Sequence, residues 1–403
     1  MNPYFLMALL FGFLAVLVAV DASAASLNLL PWFNGLRWLR IHFITLGIVS
    51  EAIFGFLPAL VAARAGYTTP RIRWDIWLTL NVGLLTLIIG VPLVNGAFMI
   101  AGGTLVFIAT LLLWVQLAGF PSKQPAVGPG TGRKFYIAAL SYLLLGIFLG
   151  TGMWLGWGKE LGLLNTKEVH VHANLWGFAA LIFAGLQIDL YPNFARRPLA
   201  WPRSSTPIFW LMAVGALGLV IGPWVQSNLI STVGLILHSA GTVWLLVNVI
   251  KPLLRDRSAW IPGMWHLVTA YVWFLIPAIV APLIVLNAPG FPVAEIESNG
   301  GPILIYGWML QFSYAVIPYL FTRVFLPDQP AKLGGNWFSL ITLHIGGILF
   351  WLGLFLATYQ PLLHGIAFAV WALSMTPVVR SLWRIAHAGL TAIEAAHPST
   401  LSA

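Results

Sequence analysis

The chain has 403 residues, of which 60% are hydrophobic and only 8% are Asp, Glu, Lys or Arg. Water-facing surfaces need roughly 25% charged residues, so a set of soluble domains of about 150 residues each is excluded, and so much apolar and aromatic sequence excludes disorder. The formal charge is +9, and the lack of any cysteine removes disulfides, thiolate metal sites, iron–sulfur ligation and thioether-linked prosthetic groups.

What remains is an all-α polytopic membrane protein. Apolar runs of about 20 residues cross a hydrocarbon core of roughly 30 Å as helices. Twelve are expected, over 3–20, 38–63, 74–92, 95–118, 134–155, 168–192, 206–223, 228–250, 262–286, 302–324, 336–357 and 360–384. The first lacks a basic leader and a small-residue cleavage site and reads as a retained helix. Pro121–Gly132, rich in Pro and Gly, reads as the one flexible loop. No soluble domain is expected, so residues 1–403 form one integral membrane domain.

The positive charge reports orientation. Of the 20 Lys and Arg residues, four (Arg37, Arg40, Lys159 and Lys167) follow odd-numbered spans and the other sixteen follow even-numbered ones. By the positive-inside rule both termini are cytoplasmic, in a bacterial or archaeal cell membrane. The expected partner is the lipid bilayer, not nucleic acid.

Internal recurrence comes next. The second, sixth and tenth spans read RIHFITLGIVSEAIFGFLPAL, HVHANLWGFAALIFAGLQIDLYP and GPILIYGWMLQFSYAVIPYLF. Aligned on Gly47, Gly177 and Gly307, they place Gly55, Gly185 and Ala315 eight residues on, and Pro58, Ile188 and Pro318 eleven on. The spans that follow carry glycines seven apart: Gly83/Gly90, Gly215/Gly222 and Gly346/Gly353. Glycine is common in membrane helices, but the whole pattern predicts three pseudo-repeats of four spans, 1–120, 134–257 and 258–390. The two halves of six found in many twelve-span transporters are not seen.

Nine histidines are present. His387 and His397 are expected at the surface, at or beyond the end of the last helix. The other seven lie in spans, where ionisable residues are costly and mark sites or pathways. A lone histidine can also do no more than bond a neighbouring helix, and that plainer reading stands equally for His238, His266 and His344. His42, His170, His172 and His364 fall in the first turns of even-numbered spans, near the outer face; at 1.5 Å per residue His42 lies about 6 Å from its helix start. His42 and His172 share one repeat position, five residues before the aligned glycine, where the third repeat has Pro302. His170 and His172 form H-x-H. On a helix they differ by about 200°, so they cannot grip one metal together.

Two neutral imidazoles from packed helices make an axial pair for haem iron, and a bilayer interior without a carboxylate cluster suits an apolar macrocycle. His42 and His172 are the candidate ligands, with His170 and His364 near the same face. Trp32, Trp38, Phe43, Trp176 and Phe178 supply flat apolar surface, and Arg37 and Arg40 are placed to meet propionates. The plainer alternatives are a Trp belt and arginines that anchor a helix end. A b-type haem is the expected cofactor; copper has no support in the ligand set. Glu51 lies mid-span and Gln311 takes its place in the third repeat, where an acid could carry protons or bond a neighbouring helix. Asp189 reads as interfacial.

With these residues in view, the chain resembles the haem–copper respiratory oxidase subunit I superfamily. The carriers are the twelve spans, the threefold repetition, the stretch RIHFITLGIVSEAIFGFLPALVAAR, and HVHANLWGFAALIFAGLQIDLYPNFARRP with its H-x-H. The resemblance departs in two places. The family's H-x-H lies on the tenth helix and here lies on the sixth, and its copper-site histidines on the seventh helix have no counterpart in 206–223. The chain is therefore also similar to the NnrS-like proteins, haem-binding relatives associated with denitrification and nitric oxide stress, on NPYFLMALLFGFLAVLVAV and the His-x4-Gly second span. The resemblance implies electron transfer or nitric oxide and oxygen handling at an outer-side haem, fed by a redox partner subunit or electron donor. Two other readings are a transporter or channel with a histidine-lined path, and a haem-handling assembly factor using the Trp-rich TGMWLGWGKELG.

Overall fold

The computed structural model describes residues 2–30, 36–120, 132–163, 165–286 and 288–396. Segment 121–131, Trp32 and His397 lie outside the described residues. Those described are helical, with no strand among them. Eleven helices are long and apolar enough to cross a membrane: α1 (Pro3–Ser26), α2 (Arg37–Arg64), α4 (Gly96–Ala118), α5 (Arg133–Leu155), α6 (Thr166–Ala195), α7 (Pro202–Trp224), α8 (Asn228–Leu253), α9 (Pro262–Val285), α10 (Ile303–Phe325), α11 (Trp337–Phe355) and α12 (Gln360–Ala396). The span expected over 74–92 is a shorter apolar helix, α3 (Trp74–Gly90), of 17 residues. At 1.5 Å per residue it reaches about 26 Å.

Local chemistry sets the ends. Asn2, Asn95 and Ser227 cap α1, α4 and α8 by accepting from Tyr4, Phe98 and Ile230 backbone N–H groups. Asn336 and Ser339 form a reciprocal capping box at α11. Gly156, at φ +74°, closes α5 in the left-handed region. α12 runs on to Ala396 because the less apolar tail, IAHAGLTAIEAA, is still rich in strong helix formers. His387 therefore sits exposed inside a helix rather than at its end.

The chain divides into two compact units. One holds Met1–Phe56, Trp260–Phe274 and Gly290–Ala403; the other holds Leu57–Ala259 and Leu275–Pro289. Three helices share a distinctive interior. π-Helical segments run over Phe43–Val49 in α2, Ala173–Ala179 in α6 and Ile303–Leu310 in α10. They begin immediately after His42, His172 and Pro302. These are also the most enclosed helices, with 67%, 78% and 100% of their apolar windows buried, against 22–56% for the other eight spans of full length.

Each aligned glycine takes an aromatic ring from the preceding helix. A methyl on Gly47 would lie 2.5 Å from Phe11 Cγ, on Gly177 2.4 Å from Tyr142 Cγ, and on Gly307 2.7 Å from Trp273 Cγ. The glycines seven apart meet the following helix in the same way. Gly83 and Gly90 abut Leu105 and Phe98, Gly215 and Gly222 abut His238 and Ser231, and Gly346 and Gly353 abut Trp371 and His364.

Candidate functional site

His42 ends the α-helical first turns of α2. Its Nδ1 lies 2.8 Å from the Trp38 carbonyl. A carbonyl only accepts, so Nδ1 carries the hydrogen and Nε2 keeps its lone pair. The Trp38 indole stacks on the ring at 3.9 Å and 13°, so one of the aromatics named from the sequence does cover an imidazole face.

His172 repeats this arrangement on α6 with a different acceptor. Its Nδ1 lies 2.7 Å from the Leu219 carbonyl of α7. His170 Nδ1 lies 2.8 Å from the Gly146 carbonyl of α5, its Cε1 edge resting on Gly150, and Asn174 donates to the His170 carbonyl at 2.8 Å. The H-x-H imidazoles thus address two different helices, as their angular separation requires. Around them Leu149, Leu163, Val169, Ala173 and Val220 form an apolar cluster. Fixing Nδ1–H on a carbonyl is how metal-ligating histidines are usually oriented, with Nε2 as the ligand atom.

His364 differs. Its Nε2 meets the Phe350 carbonyl at 3.2 Å, its ring stacks on Phe350 at 4.1 Å, and it lies over Gly353. Here Nε2, not Nδ1, meets a backbone carbonyl, and it holds α12 to α11.

Arg40 is 6% exposed and lies 3.7 Å from Asp21 of α1, with its guanidinium over the Phe368 ring at 5.4 Å. Tyr306 donates to the Arg40 backbone carbonyl at 3.2 Å. Arg37, one turn outward, is exposed. Asp21 was missed because the first span was ended at residue 20. The available signal was that it is the one acid in the first fifty residues, placed just where an arginine-bearing helix follows.

The remaining spans hold polar groups that bond their neighbours. His238 is fully buried, with Nε2 3.1 Å from the Trp176 carbonyl and Nδ1 3.3 Å from Thr242 Oγ1; the Trp176 ring lies edge-on to His238 at 5.2 Å. His344 receives Trp273 Nε1–H at 3.0 Å and faces Thr269 Oγ1 at 3.0 Å and the Gln311 amide at 3.1 Å. Glu51 is completely buried. Asp189, six residues from the end of α6, is 3% exposed, accepting from the Gly132 N–H and the Tyr136 hydroxyl, each at 2.9 Å, with Arg64 Nε at 3.9 Å. The Trp-rich segment after α5 folds back as turns, its Trp157 ring packing on Gly152 and Phe148.

Among the described residues, no three His, Cys, Asp or Glu side chains gather as a metal site. An ion held only by protein side chains is thus poorly served, whereas a macrocycle that supplies four equatorial nitrogens needs only one or two imidazoles. The donor chemistry of His42, His170 and His172 fits that demand. No protein-family model and no curated protein matches this chain.

Proposed function

We propose that this is an integral membrane haem-binding protein with an oxidase-subunit-I-like arrangement of three four-helix repeats, in which α3 completes a set of twelve spans. The reading is carried by one observation: two histidines at the same repeat position each stand directly before a π-helical segment and give Nδ1–H to a backbone carbonyl. π-Segments are rare and concentrate at functional sites, and a carbonyl bond at Nδ1 leaves Nε2 as the nitrogen with ligand chemistry. Support for the repeats comes from the matching π-segments and from the glycine–aromatic contacts that recur with them.

In this reading His42 and His172 are each candidates to hold the iron of a b-type haem through Nε2, and His170 fastens α6 to α5. When bound, the haem would supply one-electron redox chemistry or a binding place for a diatomic gas such as nitric oxide or oxygen. A fully ligated iron would suit electron transfer, and one held by a single histidine would leave room for a gas. Trp38 holds the His42 ring in plane and restricts water at its face. Arg40, 3.7 Å from Asp21, fixes the start of α2, and Arg37 and Arg40 are the proposed propionate partners. The haem side is outer and both termini are cytoplasmic, and electrons come from a partner donor.

The test is optical. Reduced, purified protein from haem-sufficient cells is expected to show b-type bands that a His42→Ala/His172→Ala double variant abolishes and His364→Ala leaves in place. A colourless protein, or bands unchanged in the double variant, overturns the reading.

A further inference from the structure

Within the first compact unit, α10, α12 and the link from α10 to α11 enclose a cavity of about 370 Å³. Pro318 of α10 and Pro377 of α12 both stand in its wall, and a proline inside a helix removes a backbone bond and kinks it. The link is fastened to α10 at one point. There the Gly334 N–H donates to the Ala315 carbonyl at 2.8 Å, and a methyl on Gly334 would collide with the Pro318 ring.

The lining is rich in hydrogen-bond donors and includes no carboxylate. Lys332 supplies an ammonium, Gln329 an amide and Ser381 a hydroxyl. Asn336 has its Oδ1 engaged by the Ser339 N–H at 2.8 Å, so its Nδ2 hydrogens are the part of that side chain left to donate. Thr322 gives its hydrogen to the Pro318 carbonyl at 2.9 Å and serves as wall.

The same helix ends and link carry four cations, Arg323, Lys332, Arg380 and Arg384, against one acid, Asp328. None of the four forms an ion pair with a described residue. Arg384 stands one turn from Ser381 and so close to the cavity's face of α12. In the orientation proposed above this is the inner side of the membrane. Trp337 and Phe338, directly after Asn336, and Trp383, two residues after Ser381, are more than half exposed. Exposed tryptophans concentrate at headgroup depth, and basic pockets between membrane helices on the cytoplasmic side suit anionic headgroups.

We propose that this cavity binds the phosphate of an anionic phospholipid headgroup from the inner leaflet. Lys332 is its charge partner, and Gln329, Asn336 and Ser381 donate to its oxygens. The bilayer thus holds one lipid at a built position on this protein, beyond its role as solvent. The proposal does not rest on haem.

Native mass spectrometry of the full chain, titrated in micelles with phosphatidylglycerol or phosphatidylcholine, counts bound lipids one by one. One phosphatidylglycerol is expected to bind about tenfold more tightly than phosphatidylcholine, the worth of one charge-assisted hydrogen bond. Lys332→Ala is expected to erase that preference, Lys332→Arg to keep it, and Ser381→Leu, which puts an apolar side chain in the wall, to weaken it. Lys251→Ala, at an exposed lysine of the second unit, is expected to leave it unchanged. sn-Glycerol 3-phosphate in tenfold excess is expected not to displace the lipid. Equal binding of the two lipids by the parent protein, or a preference unmoved by Lys332→Ala, overturns the proposal. Displacement by glycerol phosphate overturns the lipid assignment in favour of a soluble phosphate ester.

Discussion

Gly177→Ala tests whether the close approach of α5 to the π-segment of α6 is a structural requirement. The added methyl would sit 2.4 Å from Tyr142 Cγ and 2.6 Å from Cβ and Cδ1, where carbon–carbon contacts prefer about 3.5–4.0 Å. The collision falls on the root of the ring, so rotating the side chain does not relieve it. Tyr142 is also tethered at its far end, its hydroxyl donating to the Ala213 carbonyl at 2.7 Å. Overpacking of this kind costs about 1–3 kcal/mol, and loss of the tether adds about 0.5–1.5 kcal/mol. Alanine's better helix propensity returns about 1 kcal/mol. The net destabilisation expected is about 2 kcal/mol. Equilibrium unfolding of the full chain in mixed micelles measures it, with Gly96→Ala as the control, since nothing lies within 4 Å of a methyl there. In a Tyr142→Phe background the ring loses its tether, so the Gly177→Ala penalty should shrink by about 1 kcal/mol in a double-mutant cycle. Gly177→Ala protein as stable as Gly96→Ala protein would refute the reasoning.

Three further outcomes are expected. Asp189→Ala removes the acceptor shared by the Gly132 N–H and Tyr136 hydroxyl, leaving buried donors behind; a loss of about 2–4 kcal/mol is expected in the same unfolding assay, larger than for Tyr136→Phe. Asp256, outside the spans, is held down to about 2 by hydrogen bonds from Ser258 and Arg197. Its depressed value means that its contribution to stability is present above the unfolded carboxylate value of about 3.9 and is lost as pH falls through about 2. An NMR titration of Arg197→Ala should find the Asp256 midpoint raised. Because the chain lacks cysteine, single-cysteine variants report orientation cleanly: Lys332→Cys should react with an impermeant thiol reagent only from the cytoplasmic side, and Lys159→Cys only from the opposite side.

The particular elements show where sequence reading stops. The spans were legible because a helix in hydrocarbon must satisfy its own backbone and needs a fixed length of apolar residues. α3 fell short and α12 ran long for reasons that hydropathy does not measure. The opposed directions of His170 and His172 followed from helical angle alone. Their acceptors did not: the Gly146 and Leu219 carbonyls are main-chain atoms on other helices, and no side-chain pattern announces them. Arg40 pairing with Asp21, and Trp176 packing on His238, likewise depend on which helix lies alongside.

The composition by itself determined a polytopic helical membrane protein, and the charge distribution and glycine spacing led to the proposed orientation and recurring unit. Those are one-dimensional quantities, set by solvation and by helical period. Tertiary structure alone decided the protonation and bonding of each histidine. An imidazole's character rests on which acceptor lies within about 3 Å of which nitrogen, and that distance exists only once the helices have packed. His364, which the sequence grouped with the other outer-face histidines, was set apart only when Phe350 was seen beside it.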